Sequence, residues 1–187
     1  MARLPDPRPH ADPTTLAEIQ RMAAVRSHAD GRAELGSVYI AMFNNPAVAR
    51  RVGALGERLR FAGTLPGHLR EIAILRFAAR SGFEYEWAHH VRPATLAGVS
   101  EDTIAALGAP SVPPDLDPVA RAVVAAVDHV VDRLEIPEPV QRVLTDAVGA
   151  AGVVELVALC GLYALMGYMT TSFAITPEPD LPAVPRD

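Results

Sequence analysis

The sequence predicts an all-α fold in a single domain, and three observations carry that expectation. Apolar residues recur at helical spacing in every long segment, and no stretch keeps the two-residue alternation of a strand. Half of the 187 residues are hydrophobic but only 5% are aromatic, the surplus being mostly Ala, Val and Leu, a composition that favours packed helices over a sheet sandwich. The length suits one domain with a sizeable core.

Taken in order, residues 1–13 hold four prolines and few apolar groups, which predicts an extended arm able to wrap a neighbour. Thr14 or Thr15 can cap a first helix, with Glu18 following at capping-box distance, and the helix should end between His28 and Gly31. A short helix over 33–43 stops at Asn44-Asn45-Pro46, where the proline suits the first turn of the next helix. That helix, 47–61, places Val48, Val52, Leu55 and Leu59 on one face and an Arg-rich, solvated face opposite. After the Gly63–Gly67 turn a helix reaches Arg80 with Leu69, Ile72, Leu75 and Phe77 inward, and Ser81-Gly82 ends it. The next runs from Glu84 to before Gly98, and Ser100 caps a short helix with acids in its first turn. A proline-rich link over 109–117 joins two halves of one domain; helices follow over 119–134, from Pro137 to Gly149, and from Val153 to Phe173. The last is apolar nearly all round, which predicts burial on most sides. The division is therefore an arm (1–13), a helical domain (14–175) and a Pro-rich tail (176–187). A weak internal echo links Glu71-Ile-Ala-Ile-Leu with Glu155-Leu-Val-Ala-Leu.

Composition narrows the function. A net charge of −5 with no basic run argues against nucleic acid. All seventeen basic residues are Arg, so Schiff-base and Walker-lysine chemistry is excluded. The single cysteine, Cys160, allows no intrachain disulfide and no CxxC pair, and reads as a buried small hydrophobe. No apolar leader opens the chain, so a cytoplasmic protein is expected. Residues 151–169 could be taken for a membrane span, but Glu155 within it would cost roughly 2.5–3.5 kcal/mol at the bilayer centre. A buried helix of a soluble oligomer is the preferred reading, with no membrane partner.

Acid, imidazole and aromatic groups crowd together only over 65–99. Glu86 shares a helix face with His90 at four residues and with His89 at three. A carboxylate beside an imidazole fixes its tautomer and raises its basicity, which suits proton transfer near neutral pH. Glu71, on the preceding helix, reaches the same space if the two helices pair, and its neighbours set it at the edge of the apolar face. As a surface pair, Glu86 and His90 would contribute only about 0.3–0.5 kcal/mol, and Tyr85 and Trp87 serve packing as readily as a pocket. Glu86-x-x-His89 has the spacing of di-iron bundles, but the second motif is missing, since Ala158 stands three residues after Glu155. A mononuclear metal held by Glu86, His89 or His90 stays open as an alternative.

The pattern Leu65-Pro66-x(4)-Glu71-x(3)-Leu75, then Tyr85-Glu86-Trp87-x(2)-His90, Ala94 and Gly98-Val99-Ser100 resembles the carboxymuconolactone decarboxylase family, whose relatives include the alkyl hydroperoxidase D (AhpD) proteins. The resemblance implies an AhpD-like helical bundle, a homo-oligomer (trimer or hexamer), and a site near a subunit boundary. It carries the upstream relay acid onto Glu71 and the relay histidine onto His90. The two cysteines of the peroxidase branch fall on Phe83 and Glu86, neither of which can act as a thiolate or a resolving thiol, so thiol peroxidase activity is excluded at this site. The leading expectation is a cofactor-independent enzyme of a small organic acid or lactone, working by decarboxylation or proton transfer. Glu71, Glu86 and His90 would be catalytic, with Glu86 orienting His90, and Tyr85, Trp87 and His89 would line the substrate pocket. The alternatives are a noncatalytic helical binding or assembly protein, which requires no enclosed titratable group, and a mononuclear metal enzyme.

Overall fold

The computed structural model describes residues 3–30, 34–109, 111 and 116–185, the side chains of 28–30 excepted. Among them there is no strand, and eight α-helices pack around one core: α1 (Pro13–Asp30), α2 (Ser37–Met42), α3 (Pro46–Phe61), α4 (Gly67–Ser81), α5 (Glu84–Leu96), α6 (Glu101–Leu107), α7 (Pro118–Val131) and α8 (Glu138–Ser172). The all-α expectation is met. Most boundaries follow local chemistry. Asn45 caps α3 ahead of Pro46 through a bond from the Val48 N–H, and Ser100 accepts from the Thr103 N–H to start α6. Asp117 accepts from the Val119 and Ala120 N–H groups to start α7. The first helix is capped two or three residues earlier than expected, by Asp12, which takes the Thr15 N–H at 2.8 Å and its hydroxyl at 2.9 Å. Glu18 pairs with Arg21 instead of closing a capping box. Part of the 109–117 link lies outside the described residues.

The central helix is α4, packed against α5, α6, α7 and α8. Leu69, Ile72, Ala73, Ile74, Leu75, Phe77 and Ala78 are all buried on it. Arg76, fully buried, grips Asp128 of α7 through both carboxylate oxygens at 2.7 and 2.8 Å and donates to the Leu107 carbonyl at the end of α6. This bidentate pair clamps three helices.

Two expected faces are corrected. On α3, Val48 and Leu55 are exposed; the inward stripe is Ala49, Val52, Gly53, Gly56, Leu59 and Arg60. Glycines let α1 and α2 side chains come close: a Cβ on Gly53 would meet Met22 at 2.5 Å and one on Gly56 would meet the Tyr39 hydroxyl at 3.1 Å. The stripe therefore follows the small residues rather than the bulky ones. The apolar run of α8 is buried on one side only: Leu156, Leu159, Cys160, Tyr163, Met166 and Gly167 face the core, while Val154 and Tyr168 stand more than 60% exposed. Gly149 breaks this long helix with a left-handed φ of 70°. Past the break, Glu155 accepts from the Thr64 N–H at 2.6 Å and the Leu65 N–H at 3.1 Å, so the acid in the apolar run ties down the turn before α4.

The N-terminal arm lies against its own chain. The Arg3 N–H donates to the Phe173 carbonyl at 2.8 Å, and Asn44 donates to the Pro5 carbonyl.

Candidate functional site

Gly82 ends α4 in the left-handed conformation (φ 70°), and α5 begins two residues later. The resulting hairpin brings Glu71 and His90 face to face. Glu71 is 1% exposed, deeper than the edge position expected for it, and its Oε2 lies 2.7 Å from His90 Nδ1. Arg70 Nε donates to Oε1 at 3.1 Å. Burial alone would raise the Glu71 carboxyl; the His90 ring, together with the Arg60 and Arg70 guanidinium groups, outweighs burial and holds it down to about 2. Glu71 is thus a carboxylate, an acceptor only, so His90 Nδ1–H must donate to it. In the neutral ring this fixes the tautomer and makes Nε2 the lone-pair side. There the hydroxyl of Tyr163, on α8, donates at 2.9 Å, its ring edge-on to the imidazole at 5.0 Å. A hydrogen-bonded string Glu71–His90–Tyr163 therefore crosses α4, α5 and α8.

His90 does not pair with Glu86, and the expectation that Glu86 orients the ring is corrected. Sharing a helix face permits such a pair, but the bond across helices to Glu71 holds Nδ1 instead. Glu86 is 3% exposed; its Oε1 receives only a long 3.5 Å bond from Thr170, and its Oε2 accepts none from the described residues. Burial pushes this carboxyl up to about 7, against smaller opposing contributions from its own backbone N–H and Thr170. Near neutrality Glu86 can hold or release a proton.

Glu86, His90 and Tyr163 line one cavity of about 60 Å³ among α1, α2, α3, α5 and α8, room for about four waters. Val38, Leu162 and Met166 form apolar wall, and Arg60, 8% exposed, adds a buried cation. Tyr85 and His89 also line it. Their rings stack at 4.0 Å, the Tyr85 hydroxyl receives a bond from Ser37 at 3.0 Å, and His89 Nε2 lies 3.3 Å from Glu178 of the tail. Burial, against the Ser37 bond, raises Tyr85 to about 12, which keeps it protonated. Trp87 is not on the cavity wall: it is 1% exposed within the core, and its indole N–H has no partner among the described residues. Helical spacing explains the difference, since Trp87 points a quarter turn or so away from Glu86.

Cys160 is buried and burial raises its thiol to about 12, far from a thiolate nucleophile. No group of three or more His, Cys, Asp or Glu among the described residues is arranged to hold a metal ion.

Reading the sequence did not single out Tyr163, Arg60 or Thr170. Tyr163 and Thr170 are two of the few polar side chains in the apolar run of α8, seven residues apart and so on one face; that spacing was the available signal. Arg60 follows the glycine stripe of α3, four residues after Gly56 and seven after Gly53.

The sequence model of the carboxymuconolactone decarboxylase family matches residues 46–129, the span from α3 to α7 that supplies Glu71, Glu86 and His90. The likeness to this family covers 84 of the 187 residues. No curated protein matches it in sequence. Among solved structures, an alkylhydroperoxidase AhpD core described as an uncharacterized peroxidase-related protein from Ralstonia eutropha is 17% identical over 96% of this chain and 93% of its own, with a TM-score of 0.78. The debrominase Bmp8, solved also in complex with 2,3,4-tribromopyrrole, is 14% identical over 90% of each chain, with a TM-score of 0.74. A protein of unknown function from Agrobacterium tumefaciens is 18% identical over 74% of this chain and 96% of its own, with a TM-score of 0.66. At these identities the likeness is one of fold, and the fold is AhpD-like.

Proposed function

We propose that this protein is a cofactor-independent, cytoplasmic acid–base enzyme of a small organic acid or lactone, acting by proton transfer or decarboxylation. The observation that carries the reading is the ionised Glu71 behind His90, whose ring lines the same small cavity as Glu86, a carboxyl that titrates near neutrality. Glu71 stabilises an imidazolium, so the dyad takes a proton from the Nε2 side and returns it. Glu86 supplies a second proton, or accepts one, from another wall of the cavity. Loss of carbon dioxide from an activated acid leaves a carbanion or enolate that one of these groups must protonate, and a proton shift needs one group to give and one to take. Arg60 favours an anionic oxygen in the bound molecule. A merely structural homologue would have no reason to enclose His90 and Glu86 around a cavity.

The apolar outer side of α8, with Val154, Val157 and Tyr168 exposed around a groove lined by Ala164, Leu165 and Met169, supports assembly with further copies of the chain, as the resemblance implies.

Turnover tests the reading. In a screen of small lactones, keto acids and halopyrroles, a substrate should emerge whose kcat/KM falls by about 10²–10⁴-fold in Glu71→Gln and in His90→Ala. Unchanged turnover in both variants would falsify the assignment.

A further inference from the structure

His90 has no nitrogen left for a bound molecule. Nδ1–H is spent on Glu71 at 2.7 Å and Nε2 receives the Tyr163 hydroxyl at 2.9 Å. The ring is 5% exposed and held edge-on to the tyrosine, so freeing Nε2 means breaking a buried bond. The next oxygen along the string is Tyr163 Oη. A phenol oxygen that donates its hydrogen to an imidazole keeps acceptor capacity, and Tyr163 lines the same cavity as Glu86. Resting on the acid–base reading above, the geometry points to Tyr163 Oη, rather than His90, as the atom that exchanges a proton with the bound molecule, His90 and Glu71 acting through it as positioning and charge-stabilising residues.

The chemistry balances. When the bound molecule gives up a proton, Tyr163 Oη accepts it while its own proton passes to His90 Nε2, and the imidazolium is held by the Glu71 carboxylate. The reverse returns a proton to the product. The phenol is also made a nucleophile by the same transfer, which gives a test that needs no substrate.

Methanesulfonyl fluoride is a small electrophile whose sulfur is attacked by an activated phenol: the Oη–S bond forms, the S–F bond breaks, fluoride leaves and the phenol proton goes to His90 Nε2. The intact protein is treated at neutral pH and the adduct located by peptide mass spectrometry. One methanesulfonyl group is expected on Tyr163, no adduct in Tyr163→Phe, and a rate lower by about 100-fold in Glu71→Gln, with the circular dichroism of that variant unchanged. His90→Gln should be slowed comparably. An adduct on His90, no adduct at either residue, or equal rates at Tyr163 in wild type and Glu71→Gln would each overturn the proposal. If the Tyr163 adduct fails to form while Glu71→Gln and His90→Ala still lower kcat/KM, only the Tyr163 assignment falls; unchanged turnover in both variants overturns the acid–base reading itself.

Discussion

Glu86 should make the protein less stable as pH rises through neutrality, and removing its charge should abolish that loss. Its carboxyl titrates near 4.5 when unfolded and is pushed up to about 7 by burial in the fold. Between those values the folded chain binds more protons than the unfolded one, so stability falls with rising pH, and the penalty is complete above 7. A shift of that size corresponds to about 3 kcal/mol, of which about 2–3 kcal/mol should appear between pH 5 and 8. At 3% exposure, solvent screening takes little away. In Glu86→Gln the penalty disappears: the variant should match wild type within about 1 kcal/mol at pH 5 and exceed it by about 2–3 kcal/mol at pH 8. Urea unfolding at fixed protein concentration at pH 5, 6, 7 and 8, for both proteins, measures the difference directly. Glu71 does not confuse the result: its carboxyl is lowered from 4.5 to about 2, so its stabilisation is present above pH 4.5 and is lost only as pH falls toward 2. Parallel stability curves for wild type and Glu86→Gln would refute the claim that a buried, weakly hydrogen-bonded carboxylate forms in this cavity.

Arg76→Met should cost about 3–5 kcal/mol in urea unfolding, because Asp128 and the Leu107 carbonyl lose a fully buried partner; a loss below 1 kcal/mol would show the clamp to be dispensable. Gly167→Ala should lower stability by about 1–3 kcal/mol, since a Cβ there would sit 2.2–2.4 Å from Phe83 ring atoms at the start of α5, and its kcat should drop as α8 is pushed off the imidazole. Val154→Glu with Tyr168→Glu should reduce the mass measured by light scattering to that of the single chain, while the helical circular dichroism stays the same.

The fold was readable because its punctuation is local. Asn45-Pro46, Gly82, Ser100 and Asp117-Pro118 sit where helices start or stop, and the chain obeys them. Faces were harder. Val48 and Leu55 have the right spacing to be inside, yet α3 faces α1 and α2 along Gly53 and Gly56, where the Met22 and Tyr39 side chains take the space a Cβ would need. Solvent exposure on α8 was invisible for another reason: an apolar stripe left at the surface reads in sequence like one buried in the core. At the site, Glu71, Glu86 and His90 were legible as chemistry-bearing residues in one short stretch. Their pairing was not, because spacing along one helix cannot tell whether an imidazole turns toward its own helix or toward the next. Tyr163 lies 73 positions from His90, and no local pattern joins them.

The string from Glu71 through His90 to Tyr163 also makes the site a gauge of helix register. Each of its three residues hangs from a different helix, and a hydrogen bond tolerates only a few tenths of an ångström of stretch, whereas sliding α8 by one residue moves Tyr163 by about 1.5 Å. A small shift of the α8 segment that follows the Gly149 break would cut the string while leaving helix content and core intact. Inactive variants with native spectra are therefore to be expected along that segment, and hydrogen exchange at Tyr163 should report them before any melting curve does.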